Sequence, residues 1–98
     1  MAYRIQFEPP AREHLRELNA HDRVILLTAI HDQLAHQPTV ATRHRKPLRP
    51  NPLASWELCV GDYRVFYDVL ESESEVRVAD IGRKQHGRLF IGGSEYKL

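Results

Sequence analysis

The stretch Trp56-Glu57-Leu58-Cys59-Val60-Gly61-Asp62-Tyr63-Arg64-Val65-Phe66-Tyr67-Asp68 decides the fold of this chain. Trp56, Leu58 and Val60 alternate with Glu57 and Cys59. Beyond Gly61-Asp62, Val65, Tyr67 and Val69 alternate with Arg64, Phe66 and Asp68. A period of two is the mark of a β-strand, whose successive side chains point to opposite faces. Gly61-Asp62 makes a two-residue connection, and its glycine supplies the positive φ that tight hairpin turns need. The stretch is therefore a β-hairpin with Arg64 in its second strand.

Outward from the hairpin, an acidic turn from Glu71 to Glu75 leads to a third run. There Val76 and Val78 are expected to face one way, and Arg77, Ala79 and Ile81 the other. Three antiparallel strands in a meander follow, the last ending in Gly82-Arg83-Lys84-Gln85-His86-Gly87-Arg88, where the sheet is expected to give way to a cationic loop. The apolar run Leu89-Phe90-Ile91-Gly92-Gly93 is too short to assign as strand or helix. With the tail from Ser94 to Leu98 it is expected to dock against the sheet edge.

Toward the N-terminus, Tyr3 to Phe7 alternates as a first strand, and Pro9-Pro10 stops it while presetting the backbone for a helix. Ala11, Leu15 and Leu18 are spaced i, i+4, i+7, the apolar stripe of a short helix with Arg12, Glu13, Arg16 and Glu17 on its wet side. A break at Asn19 to His21 places the cap of a second helix at Asp22, with the helix running to about His36. Its core stripe reads Leu27, Ile30 and Leu34, widened by Val24, Ile25, Leu26 and Ala29. Two helices joined by so short a turn form an antiparallel hairpin that covers one side of the sheet. The fold class is α+β, in the order β-α-α-β-β-β, and residues 1–98 form a single domain.

Between Gln37 and Ser55 periodicity disappears, and Pro38, Pro47, Pro50 and Pro52 stand among Arg43, His44, Arg45, Lys46 and Arg49. Long loops of this kind carry function, and the prolines imply a semi-ordered basic loop. The net charge is only +1, but its distribution is uneven: +4 over residues 37–55 and +3 over 76–98, against −5 over 56–75. Two positive segments brought together by folding make a local phosphate site. With no acidic residue between them, Arg43, Arg45, Lys46 and Arg49 point to a polyanion, for which ribosomal RNA is the natural candidate.

Several classes are set aside. Cys59 is the only cysteine and reads as a small packing residue, without a second thiol for a disulfide or metal site. No His-x-x-x-His spacing or pair of carboxylates converges, and His31 and His36 stand five apart, so no metal or cofactor is expected. No apolar run approaches the length of a membrane span, and Met1 to Glu8 carries no signal-peptide pattern. The expected location is the cytoplasm.

Trp56-Glu57-Leu58, Gly61-Asp62-Tyr63-Arg64-Val65-Phe66-Tyr67-Asp68-Val69 and Ile81-Gly82-Arg83-Lys84, in this order of elements, resemble the RelE/ParE superfamily of bacterial toxins, and the Tyr-Arg-Val-Phe-Tyr and Ile-Gly-Arg-Lys segments look like its RelE branch. The resemblance covers nearly the whole chain. It implies a compact microbial ribonuclease-like fold, ribosome-dependent cleavage of mRNA by metal-independent attack of the 2′-hydroxyl, and a cognate antitoxin that silences the toxin. ParE-type members share the fold and act on DNA gyrase instead, which is the alternative reading. A third is a catalytically inactive member that survives as an antitoxin-binding partner.

Carried over residue by residue, the resemblance puts Arg64 on the arginine that stabilises the scissile phosphate. Lys84 or Arg83 falls on a second cation at a strand end, and Phe90 on a tyrosine that stacks on the nucleotide. Glu57 and Cys59 stand where the best-known members carry lysines, and His86 resembles a C-terminal histidine that works as acid or base. RNA cleavage needs a proton acceptor, a proton donor and positive charge on the phosphorane. Histidine suits proton transfer near neutral pH, and a strand-held arginine meets two phosphate oxygens at once. Arg64, His86, Lys84 and Arg83 are thus the candidate catalytic residues, and Phe90, Arg43, Arg45, Lys46, Arg49 and Arg88 the candidate substrate-binding ones. As structural alternatives, Arg64 pairs across the hairpin with Glu57, and Phe90 belongs to the core.

Overall fold

A computed structural model describes residues 2–98. The elements run β1 (Arg4–Phe7), α1 (Pro9–Glu17), α2 (Ala20–Leu34), β2 (Arg45–Pro47), β3 (Trp56–Val60), β4 (Tyr63–Leu70), a 3₁₀ turn (Glu71–Glu73), β5 (Glu75–Gln85), β6 (Arg88–Ile91) and β7 (Ser94–Glu95). One sheet takes them all in the order β2-β3-β4-β5-β6-β7. β1 lies alongside the first half of β5, parallel to it. Every other pairing is antiparallel.

The expected hairpin forms with Gly61 at φ +57°, and Cys59 faces Arg64 across it. The expected basic loop contains a short edge strand, β2, and the expected cationic loop is the end of β5 turning into β6 through His86-Gly87. Leu89-Phe90-Ile91 is therefore strand, paired to β5 at the edge.

A β-bulge changes the reading of β5. Phe66 pairs with Asp80 but Tyr67 pairs with Val78, so Ala79 is an extra residue between them. A bulge of one residue exchanges the faces of everything beyond it. Ile81 consequently joins Val76 and Val78 in the core under the helices, rather than facing away from them, while Ala79 packs on the other face.

The main core lies between the helices and the sheet: Ala11 and Leu15 of α1 and Leu26, Ile30 and Leu34 of α2 meet Leu58, Val65, Tyr67, Val76, Val78 and Ile81. The stripe of α2 is thus centred on Leu26, not Leu27. Leu27 is 39% exposed and Val24 62%, because four consecutive apolar residues leave the helix phase to be set by what the sheet can reach. α2 also starts earlier than expected. Asn19, not Asp22, is its cap: Asn19 Oδ1 accepts from the Asp22 amide at 2.8 Å, and Asp22 lies in the first turn, where a carboxylate suits the positive helix end. Arg23 then stitches the helices together by donating to the carbonyls of Leu15, Arg16 and Leu18 at the C-terminal end of α1.

The opposite face of the sheet is partly covered. Ala54, Phe66 and Leu89 form a second buried cluster, joined by Leu48, Leu53, Ala79, Ile91 and Tyr96. The proline-rich loop and the C-terminal tail thereby wall in the rest of that face. No helix among the described residues is long and apolar enough to cross a membrane.

Candidate nucleic-acid interface

Loop and tail enclose a concave site of about 770 Å³ on the face away from the helices. Its cations are Lys46 from β2, Arg49 from the loop, Lys84 from β5, Arg88 from β6 and Lys97 from the tail; its acids are Glu57 on β3 and Glu95. Cations outnumber carboxylates, so the surface favours an anion.

The loop that carries Arg49 is held by Asn51. Its side chain donates to the carbonyls of Arg49 (2.7 Å) and Ala54 (3.0 Å) and accepts from the amides of Leu53 (2.7 Å) and Ala54 (3.1 Å). The amide of Leu48 closes it onto the Ser55 carbonyl at 2.8 Å. A side chain that mimics backbone turn bonds fixes a loop that prolines alone only stiffen. Asn51, Tyr96 and Lys97 were missed by sequence reasoning. The signal for Asn51 was present, since an asparagine between Pro50 and Pro52 is a turn former.

Strand parity separates the other candidates. In the β2–β3 register Arg45 faces Leu58 and Lys46 faces Glu57, so neighbouring residues go to opposite faces. Arg45 is 7% exposed, and its guanidinium donates to the carbonyls of Val40 (2.9 Å) and Gln33 (2.7 Å) and to the Gln33 side chain (2.9 Å). Its donors tie the loop to the end of α2, so the guanidinium expected at the substrate is engaged within the fold. Arg43 is exposed and lies outside the concave site.

The bulge also resolves the strand-end pair. Lys84 lines the concave face, whereas Arg83 lies on the helix side, its guanidinium carbon 5.2 Å from the centroid of the Tyr63 ring. Phe90 faces Arg83 across the β5–β6 pairing and joins it in a smaller cleft, about 270 Å³, with His14, Glu17, Tyr63 and Gly92. Beside that cleft is a contact the sequence did not reveal: His14 Nδ1 lies within hydrogen-bond distance, 2.6 Å, of Asp80 Oδ1, which also accepts from the Ile81 amide at 2.9 Å. His86 sits exposed at the β5–β6 turn with φ +52°, beside Gly87 and Arg88 of the concave rim.

Arg64 belongs by parity to the concave face of β4, at the end toward the hairpin turn. One of its nitrogens donates to the carbonyls of Gly61 (2.8 Å) and Tyr63 (2.9 Å). It does not pair with Glu57, which faces Phe66 across the hairpin. Glu57 instead takes Lys46, whose ammonium is 3.5 Å from its carboxylate, so one of the predicted phosphate cations is already partnered. Cys59 is half-buried beside them. Burial pushes its thiol up, Glu57 adds to the shift, and Arg64 and Lys46 oppose it, which keeps the sulfur a neutral packing group.

Among the described residues no group of three or more histidine, cysteine or carboxylate side chains is placed to hold a metal ion. Chemically, the concave face offers Arg49, Lys84 and Arg88 to an anion.

No curated protein sequence matches the chain. Three solved structures share its fold. The RelBE2 toxin–antitoxin complex of Mycobacterium tuberculosis matches with a TM-score of 0.74 and 21% identity, over 86% of this chain and 93% of that one. An archaeal RelE–RelB complex from Pyrococcus horikoshii OT3 gives 0.70 and 19%, over 88% and 99%. The isolated E. coli RelE toxin gives 0.67 and 22%, over 87% of each. A family model described as the ParE toxin of the type II toxin–antitoxin system parDE matches residues 5–86, which take in both helices, the hairpin and β5. The chain is a type II toxin of the RelE/ParE superfamily and belongs to its ParE toxin family.

Proposed function

We propose that this toxin binds an RNA backbone across its concave face and cleaves mRNA on the ribosome, through attack of the RNA's own 2′-hydroxyl. The observation that carries this reading is the convergence of Arg49, Lys84 and Arg88 on one walled face, with Lys46 among them and Arg64 on the same side of the sheet. Cations on rigid strands are in place before charge develops, which is what transition-state stabilisation requires. In this reading Arg64 leaves the carbonyls of Gly61 and Tyr63 for the phosphorane, Lys84, Arg88 and Arg49 hold the flanking phosphates, and His86 swings from its exposed turn to protonate the leaving oxygen. Arg83 and Phe90, on the far face, take no part in the chemistry.

A cognate antitoxin is the expected regulator, as in the RelE–RelB and RelBE2 complexes that share the fold. The exposed Val24, Ile25 and Leu27 on α2 favour a protein partner of this kind.

A second reading is inhibition of DNA gyrase by binding alone. The ParE family match favours it, as does the separation of Arg83 and Phe90 from Lys84. Cell-free translation and gyrase supercoiling reactions run with the same protein separate the two. Codon-phased mRNA cuts with normal supercoiling support cleavage; intact mRNA with blocked supercoiling supports gyrase.

A further inference from the structure

Glu57 is one of two acidic side chains on the cationic face, and the RNA reading above gives it no task. It lines the concave site, yet its side chain is only 5% exposed. Two polar contacts reach it: the Lys46 ammonium at 3.5 Å and the Cys59 thiol at 3.7 Å, both on Oε2. No buried side-chain oxygen among the described residues lacks a partner. Oε1, which neither contact uses, is therefore not sealed from solvent, and Glu57 lines the concave site.

A carboxylate withdrawn from water and held by one long, exposed lysine is a poor structural device. Its neighbour across the hairpin is Phe66, fully buried in an apolar cluster, where an aliphatic residue at position 57 would extend the packing. Buried ionisable groups aimed into a cleft of opposite charge are a feature of functional sites.

We infer that Glu57 is the proton acceptor of the RNA cleavage reaction, an inference that rests on the RNA reading above. Lys46 turns its ammonium to a phosphate oxygen of the bound strand, and the 2′-hydroxyl takes its place on the carboxylate. Glu57 accepts the hydroxyl proton as the 2′-oxygen forms its bond to phosphorus and the bond from phosphorus to the 5′-oxygen breaks. The leaving 5′-oxygen receives a proton from the His86 imidazolium. The products are a 2′,3′-cyclic phosphate and a 5′-hydroxyl, and exchange with water returns both side chains to their starting states.

The test measures single-turnover cleavage of a translated mRNA by the full chain, against pH, for the parent, Glu57→Gln and Glu57→Asp, with ribosome co-sedimentation and thermal unfolding on the same samples. Loss of a general base costs about 10²- to 10⁴-fold. Glu57→Gln should lose cleavage on that scale together with the acid limb of the pH profile, while still sedimenting with ribosomes. Glu57→Asp, which keeps the charge at a shorter reach, should retain the acid limb at a reduced rate and serves if the Gln variant does not fold. Cleavage by Glu57→Gln within a few-fold of the parent, or by Glu57→Asp with the acid limb absent, overturns the inference and leaves the RNA reading standing. A parent protein that does not cut translated mRNA at all overturns both.

Discussion

Arg83 and Lys84, adjacent in sequence, serve opposite faces of the sheet: the guanidinium of Arg83 lies over the Tyr63 ring at 5.2 Å, while Lys84 lines the cationic concave site. The extra residue at Ala79 sets this assignment, because it exchanges the faces of every β5 residue that follows. A toxin that binds its target through the concave face must feel the loss of Lys84 and ignore the loss of Arg83.

Lys84→Ala is therefore expected to weaken binding to single-stranded RNA and to lower the slope of log affinity against log salt by about 0.7, the value of one released counterion contact. Arg83→Ala should leave affinity within about two-fold and the slope unchanged. Fluorescence anisotropy across a salt series measures both. Equal effects of the two substitutions would contradict the face assignment.

Arg45→Ala should destabilise the fold by about 2–4 kcal/mol, since it strips buried carbonyls at Val40 and Gln33 of a charged donor. Arg43→Ala, two residues away and exposed, should stay within about 0.5 kcal/mol of the parent. Urea unfolding midpoints at neutral pH give the comparison.

Gly82 has no room for a side chain. A Cβ there would stand 2.8 Å from the Phe90 carbonyl oxygen and 2.9 Å from Ile91 Cγ1, so β6 would have to move. Gly82→Ala is expected to cost about 1–3 kcal/mol and to raise amide exchange in residues 88–91 first. Unchanged protection of β6 in that variant would show that the strand pairing absorbs the methyl group.

The hydrogen bond from Tyr63 to Asp22, 2.8 Å long, couples the hairpin to the start of α2 and sets a two-sided pH dependence. The Tyr63 hydroxyl, with smaller help from His21 and Arg83, holds the Asp22 carboxyl below the usual carboxylate range. That contribution is present above about pH 4 and is lost as pH falls through the lower folded-state value. Burial first, and then Asp22, pushes Tyr63 up, so its contribution is present below about pH 10 and fades as pH rises through the higher folded-state value. Tyr63→Phe should be less stable than the parent between these limits, with the difference closing toward both extremes. Equilibrium unfolding across a pH series checks the shape, and a constant difference would rule the coupling out.

What the sequence revealed follows from how local each signal is. The hairpin was legible because alternation and the Gly61 turn are properties of the strand itself. The bulge was not, because an extra residue at Ala79 is defined only against the partner strand, and with it went the facing of Ile81, Arg83 and Lys84. The charges of Arg45 and Lys46 were equally visible, but which of them is buried depends on β2 pairing with β3, and three residues carry no alternation to read. Helix α2 announced itself by composition, and its phase stayed hidden because Val24 to Leu27 is apolar all round. For the candidate site, the resemblance named Arg64 and left the second cation open between Arg83 and Lys84, which only the bulge separates, and it read Glu57 only as a missing lysine. Its burial among cations became visible once Lys46 was placed across from it.

Primer extension on an mRNA in a cell-free translation reaction, with the parent protein and with Arg64→Ala, in the presence and absence of ribosomes, tests the central claim most directly. Codon-phased cuts that need both ribosomes and Arg64 are expected, with a loss of at least about 10²-fold in the variant, the scale seen when one preorganised donor to a developing anion is removed. Intact mRNA in every lane, from folded protein and active ribosomes, would contradict it.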